Sequence, residues 1–197
     1  MEEFRNNAVL RGSVTSPPVY SHSVKEEKFF TFPIQTERLS GASDTINVLV
    51  SEQTLRNSEV DDGAAVEITG ELRSYNNRSG TGSRLILTVL ARTIAVSSEP
   101  DENRMLLRGT VCKPPILRKT PMGRQICDIM LAVNRHYGRA DYIPCIAWGQ
   151  WALTASRLSV GDCITIDGRL QSRKYIKNTD GVQTERTAFE VSATTIE

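Results

Sequence analysis

Histidine is almost missing from this chain of 197 residues: there are two, His22 and His136, against four cysteines. Cys112, Cys127, Cys145 and Cys163 follow one another at intervals of 15, 18 and 18 with no C-x-x-C pair, which is not the ligand spacing of a zinc site. Three of them sit in apolar, strand-like runs, where a thiol serves as a small buried hydrophobe. No metal and no cofactor are expected. A glycine-rich phosphate loop of the Walker type is also lacking, and neither histidine pairs with a nucleophile, so the chain is not expected to be an enzyme or to take a small-molecule substrate. Long hydrophobic runs are absent as well. The apolar stretch from Leu85 to Ala91 is interrupted by Thr88 and falls far short of the roughly 20 residues that span a membrane. The first thirty residues include Glu2, Glu3, Arg5, Lys25, Glu26, Glu27 and Lys28, with no apolar block long enough for the core of a signal peptide. The expectation is a soluble, cytoplasmic protein with no membrane contact.

What is present is a composition able to bury a core: 39% hydrophobic and 24% charged residues. The length suits two domains of about 100 residues each. Net charge is only +1, but its division is informative. Residues 1–100 hold ten Lys and Arg against thirteen Asp and Glu, a balance of −3, and residues 101–197 hold fourteen against ten, a balance of +4. An anionic ligand should prefer the second half.

The two halves repeat one another. Leu10-Arg11-Gly12 recurs as Leu107-Arg108-Gly109, Pro17-Pro18 as Pro114-Pro115, Arg38 as Arg135, Asp44 as Asp141 and Ile46 as Ile143, each at an offset of 97. Gly63, Ile68, Gly70, Leu72 and Ser74 match Gly161, Ile166, Gly168, Leu170 and Ser172 at 98, and Arg84, Val89, Ala91 and Thr93 match Arg186, Val191, Ala193 and Thr195 at 102. The offset changes only where connections are expected, since insertions are tolerated between elements rather than within them. The polar run Ser97-Ser-Glu-Pro-Asp-Glu-Asn103 reads as a linker, so the expected domains are residues 1–96 and 104–197 joined by 97–103.

In the second repeat, Met105–Cys112 and Ile126–Asn134 read as strands, with a loop over Lys113–Arg124, which holds three prolines and a glycine. Tyr142–Ala147, Gly161–Arg173 and Arg186–Ile196 read as three more strands, the last two joined by a polar hairpin loop over Lys177–Thr184. Between the third and fourth strands, Trp151, Ala155 and Leu158 recur at helical spacing, which places Trp151 in the core. Five strands with a helix between the third and fourth are the element order of the OB-fold barrel. The fold class is therefore all-β with short helices: two tandem five-stranded OB-fold barrels, each with a helix between strands 3 and 4.

From Met105 to Ile196 the second repeat resembles the bacterial single-stranded DNA-binding protein family. The likeness rests on Leu106-Leu-Arg-Gly-Thr-Val111, on Pro115-x-x-Arg118, on Tyr142-Ile-Pro-Cys-Ile-Ala-Trp-Gly149, and on the run from Gly161 to Arg173-Lys-Tyr175. The resemblance implies that unpaired bases stack on Tyr137, Tyr142, Trp148 and Tyr175, and that base identity matters little because every base has a π-face. Basic residues interleaved with these rings, Arg118, Lys119, Arg124, Arg135, Arg139, Arg173, Lys174 and Lys177, are expected to follow the phosphates.

The first repeat departs from that pattern. Ser40, Thr45, Ser51 and Asn77 align with the four aromatics, and Ser21 aligns with Arg118. Phe29, Phe30 and Phe32 do not replace the platform, because alternate residues of a strand point to opposite faces. The implied function is non-catalytic, sequence-independent single-stranded DNA binding in replication, recombination or repair, at the nucleoid, with the second repeat as main contact. Stacking does not sense the 2′-hydroxyl, so the residues leave DNA and RNA open. The alternative is a primosomal-type interaction module that assembles replication or recombination proteins and binds nucleic acid weakly. Family members assemble four OB domains, which implies a homodimer here. Their glycine- and proline-rich tail with an acidic tip has no counterpart up to Glu197, so recruitment of partners by such a tail is not expected.

Overall fold

The structure, a computed structural model, describes residues 6–58, 60–77, 84–135, 138–179 and 181–197, with backbone alone at 175, 177 and 179. The chain divides into two compact units, one formed by Asn7–Arg73 with Thr88–Met105, the other by Leu106–Glu197 together with Ser74–Leu87.

The first repeat runs β1 (Asn6–Val14), β2 (Val19–Val24), β3 (Glu27–Glu37), β4 (Ser43–Ser51), α1 (Glu52–Arg56), β5 (Ala65–Asn76) and β6 (Leu85–Val96). The second runs β7 (Glu102–Val111), β8 (Ile116–Lys119), β9 (Gln125–Asn134), β10 (Ala140–Trp148), α2 (Gln150–Ala155), β11 (Cys163–Thr179) and β12 (Val182–Ile196). In each repeat five strands close on themselves. The first circuit is β1-β3-β4-β6-β5 and back to β1, the second β7-β9-β10-β12-β11 and back to β7. The helix falls after the third barrel strand in both, and closure leaves no free edge within the ring.

The registers repeat along with the residues. Ile34 faces Ile46 across β3 and β4, and Leu131 faces Ile143 across β9 and β10. The parallel pair that closes each ring sets Val48 against Val89 in the first repeat and Cys145 against Val191 in the second. Inward positions alternate along each strand, as a barrel requires. Leu10 and Leu107, Ile34 and Leu131, Ile46 and Ile143, Ile68 and Ile166, Leu72 and Leu170 are all at 0% exposure, so corresponding residues fill corresponding places in the two cores. Closure also demands close approach. A Cβ on Gly70 would sit 2.1 Å from the Leu90 carbonyl oxygen, and one on Gly168 would sit 2.3 Å from that of Ser192, so only glycine fits where the long strand bends against its neighbour.

Three expectations are corrected. The stretch Lys113–Arg124 is not all loop: β8 pairs antiparallel with β9 from Ile116↔Asp128 to Lys119↔Gln125, and β2 does the same against β3. Pro114 and Pro115 precede the strand, and Pro121 and Gly123 follow it, so none interrupts the ladder. The polar segment Lys177–Thr184 continues the β11–β12 ladder out to Thr179↔Val182, because polar side chains are compatible with a two-stranded ribbon that has water on both faces. Trp151 is only half buried. The helix has six residues, Gln150–Ala155, and presses Ala152 and Ala155 onto the barrel, so the stripe through Trp151, Ala155 and Leu158 never has the two turns it needs. Cys127 and Cys145 are buried, Cys112 is intermediate and Cys163 is exposed. No helix among the described residues is long and apolar enough to cross a membrane.

Candidate nucleic-acid interface

β10 carries two of the expected aromatics on its outer side. Ile143, Cys145 and Ala147 point into the barrel, so Tyr142, Pro144 and Trp148 are thrown outward by the period of two. Tyr142 is 54% exposed and Trp148 37%, values that leave ring surface available to a ligand. They stand six residue steps apart along the strand, about 20 Å. Tyr175 lies on β11 opposite Arg186, and Lys177 on the same strand opposite Thr184. Tyr137 lies outside the described residues.

The cations fall into two groups. Lys119 at the end of β8, Arg124 in the β8–β9 turn and Arg139 ahead of β10 are exposed and hold no ion pair among the described residues. The others already have partners. Arg118 donates from Nε to Asp128 Oδ2 at 2.6 Å and from Nη2 to Oδ1 at 3.0 Å, a two-pronged pair. That hydrogen bonding raises the guanidinium above its ordinary pKa, the charges of Asp128 and Glu190 add to the rise, and partial burial opposes it. Arg173 Nε stands 3.6 Å from Glu190 Oε1. Lys174 Nζ meets Glu185 Oε1 at 3.0 Å, an exposed pair that solvent and salt screen to little.

Arg135 holds structure together. Its Nε donates to Asp141 Oδ2 at 2.7 Å, its Nη2 donates to Oδ1 of the same carboxylate, and Nη2 also donates to the Ser74 carbonyl at 3.0 Å. The Ser74 amide donates to Asp141 Oδ1 at 2.6 Å, and the Tyr142 amide donates to Ser74 Oγ at 2.8 Å. Asp141 is fully buried, so this guanidinium offsets a charge that water cannot reach and at the same time fixes the strand that carries Tyr142. Arg38 and Asp44 make the matching pair in the first repeat, with Arg38 Nε donating to Asp44 Oδ2 at 2.6 Å.

Beside the aromatics lies a cleft of about 270 Å³, lined on its apolar side by Ile116, Ile129, Met130 and Pro144 and on its charged side by Arg118, Asp128, Arg173 and Glu190. Sequence reasoning missed its two carboxylates. Asp128 and Glu190 carried no signal, because charges in a strand read as outward residues and only the closed barrel brings the two strands into one wall.

The first repeat has another surface at these places. Ser51, aligned with Trp148, caps α1, its Oγ accepting from the Thr54 amide at 3.2 Å. Thr45 and Ser21 are exposed, and Phe32 enters the core at 1% exposure. The β2–β3 hairpin presents an aromatic group that sequence reasoning passed over: Tyr20 meets Phe30 edge-on at 6.1 Å, and His22 stacks on Phe29 at 5.2 Å. Spacing gave no signal, because Tyr20 and His22 are two apart and Phe29 and Phe30 adjacent, and only a register shift between Tyr20 and His22 brings them opposite.

Residues 102–197 match the Single-strand binding protein family. Among curated relatives, Single-stranded DNA-binding protein 2 of Listeria innocua is 38% identical over 86 residues, 40% of this chain and 54% of that protein. The Single-stranded DNA-binding protein of Clostridium tetani is 40% identical over 80 residues, 37% of this chain and 55% of that protein. The chain thus spans about half the length of the curated relatives it matches. The wild-type single-stranded DNA binding protein from Thermus aquaticus superposes with a TM-score of 0.78 at 21% identity, covering 98% of this chain and 92% of that one, a likeness of fold. The superposition extends the likeness of fold over both repeats, and the match over residues 102–197 makes the second repeat similar to the single-strand binding protein family.

Proposed function

We propose that this chain is a non-catalytic binder of single-stranded DNA whose second repeat, residues 104–197, is the main contact, with residues 1–96 as a degenerate repeat and 97–103 as linker. The observation that carries the reading is the outward face of β10. Tyr142 and Trp148 stand exposed on it, beside a cleft walled by Arg118 and Arg173, on the half of the chain with the positive balance. Rings and cations alternating over one surface supply stacking to bases and charge to phosphates. Tyr137, Tyr175, Lys119, Arg124, Arg139, Lys174 and Lys177 extend the proposed contact, and Arg135 supports it by holding Asp141 under Tyr142. The names of the curated relatives support DNA as the polymer. Service in replication, recombination or repair, location at the nucleoid, and pairing of two chains to give four barrels belong to the same proposal.

The test is a tryptophan-fluorescence titration with oligothymidine, a single-stranded RNA and duplex DNA at two salt concentrations. Quenching by the single-stranded DNA that weakens with salt is expected, with little effect of duplex. Equal response to duplex, or none to any oligonucleotide, overturns the proposal.

A further inference from the structure

The end of β5 leaves the first barrel: Ser74–Leu87 belongs to the compact unit of the second repeat. It docks at the start of β10. Farther along, β10 pairs with β12 at Cys145↔Val191 and Ile146↔Ser192. At Asp141 and Tyr142 its edge is taken instead by Ser74, whose Oγ accepts from the Tyr142 amide and whose own amide donates to the Asp141 carboxylate. The next residue is Tyr75. The 2.8 Å bond from the Tyr142 amide to Ser74 Oγ, with ordinary bond lengths on either side of it, keeps the Tyr75 Cα within about 11 Å of the Tyr142 Cα. Tyr75 is 48% exposed, close to the 54% of Tyr142. Burial alone raises its phenol above the ordinary pKa. Among the described residues its hydroxyl has no hydrogen-bond partner and its ring no aromatic neighbour. A tyrosine that serves packing buries its ring and ties down its hydroxyl, and this one does neither fully. Farther out, the Asn77 amide donates to the Arg84 carbonyl at 2.8 Å, which sets Arg84 on the return strand of the same hairpin. Arg84 is exposed and holds no ion pair among the described residues.

We propose that this docked hairpin is a further contact for the bound strand: Tyr75 stacks a base beyond the one on Tyr142, and Arg84 meets an adjoining phosphate. The proposal rests on the single-stranded DNA reading and lengthens the path of the strand. A strand laid along β10 from Trp148 to Tyr142 runs toward the place where Ser74 is docked. There an exposed ring followed by an exposed cation repeats the alternation of the main groove. Alignment of the two repeats does not give this contact. Tyr75 stands where the second repeat has Arg173, and none of the four expected rings aligns with it. Position comes from the fold: Arg135 Nη2 donates to the Ser74 carbonyl at 3.0 Å and so holds the segment that carries Tyr75 against β10.

The first measurement uses the unaltered full chain. Oligothymidine carrying 5-iododeoxyuridine at successive positions is irradiated in the complex, and mass spectrometry locates the cross-links. A cross-link at Tyr75 is expected alongside those at Trp148 or Tyr142. The second measurement is affinity for plain oligothymidine. Tyr75→Ala is expected to weaken binding roughly fivefold or more and Tyr75→Phe to keep it, because the ring and not the hydroxyl makes the contact. Arg84→Ala should lower the slope of log affinity against log salt by about 0.7. A strand that cross-links to Trp148 or Tyr142 and at no position to Tyr75 overturns the proposal and leaves single-stranded DNA binding standing. So does a folded Tyr75→Ala variant with wild-type affinity. Failure of the unaltered chain to bind oligothymidine overturns the underlying reading as well.

Discussion

Where the second repeat has Trp148 the first has Ser51, and the two residues have different employment although their strands end at the same point of the barrel. Ser51 closes the first turn of α1 with its hydroxyl, whereas Trp148 leaves its ring 37% exposed ahead of a glycine with φ of 56°. The same divergence holds across the outer face. Ser21, Thr31, Thr45 and Thr88 stand where Arg118, Asp128, Tyr142 and Glu190 do, and Thr31 and Thr88 turn their hydroxyls onto the Val48 and Asn47 carbonyls of the neighbouring strand. Inside, the repeats agree at most places, Leu10 with Leu107 and Ile46 with Ile143 among them, while Ala8 against Met105 and Phe32 against Ile129 exchange volume between neighbouring sites. A packed core keeps its apolar character and total volume, whereas an outward strand position is constrained only by what it must touch. Two copies of one barrel therefore keep their cores while their outward side chains diverge.

The strongest test of the shared part is the buried pair at the third barrel strand. Arg135→Ala and Arg38→Ala each leave an aspartate at 0% exposure without its cation, and each is expected to cost about 3–5 kcal/mol in denaturant unfolding. A large loss in one repeat and none in the other would break the equivalence. Next come the closure glycines. Gly70→Val and Gly168→Val drive a side chain into a backbone carbonyl and should each cost about 1–3 kcal/mol, measured by thermal melting.

The unshared part is tested by binding. Trp148→Ala is expected to weaken single-stranded DNA binding by about 1–3 kcal/mol in a fluorescence-anisotropy titration, whereas Ser51→Ala leaves affinity unchanged and lowers stability by about 1 kcal/mol through loss of its cap. Equal losses of affinity would show that the first repeat also contacts DNA. Lys119→Ala should lower the slope of log affinity against log salt by about 0.7, the share of one phosphate on a single strand.

The smallest expected effect separates the repeats by their thiols, all four of which lie in the second half. Burial raises the Cys145 thiol well above its ordinary pKa with help from the charge of Glu190, and burial followed by the charge of Asp128 raises Cys127. The folded form holds these protons more tightly than the unfolded one, so stability is full below the ordinary thiol pKa and falls as pH rises through it. Denaturant midpoints measured across that range should fall for the second repeat and not for the first through this cause. Iodoacetamide on native protein should modify exposed Cys163 first and Cys145 last, checked by mass spectrometry.

The fold was legible because the chain states it twice. A strand of Leu, Ile and Val is ambiguous alone, but Ile34 and Leu131 at one offset, flanked by the same glycines and prolines, identify corresponding places in two barrels. Tyr142 and Trp148 could be placed outside from the alternation along β10. Less legible were β8 and the long β11–β12 ribbon, whose polar residues read as loop because nothing in them is buried, and whose order comes from the partner strand. Trp151 misled because hydrophobicity was read as burial in a helix too short to have a stripe. Arg135 was grouped with the phosphate contacts because its charge is visible in the sequence and the burial of Asp141 is not.

By itself the sequence determined the repeat, the closed all-β architecture, the positive balance of the second half and the aromatic residues along one strand, since periodicity, glycine placement and charge are local properties of the chain. Only the tertiary structure decided which cations are already held by carboxylates and that Asp128 and Glu190 meet in one cleft wall. Those outcomes depend on strands far apart in sequence meeting at fixed distances, and a buried pair such as Arg135 with Asp141 forms only once closure has removed the water around it.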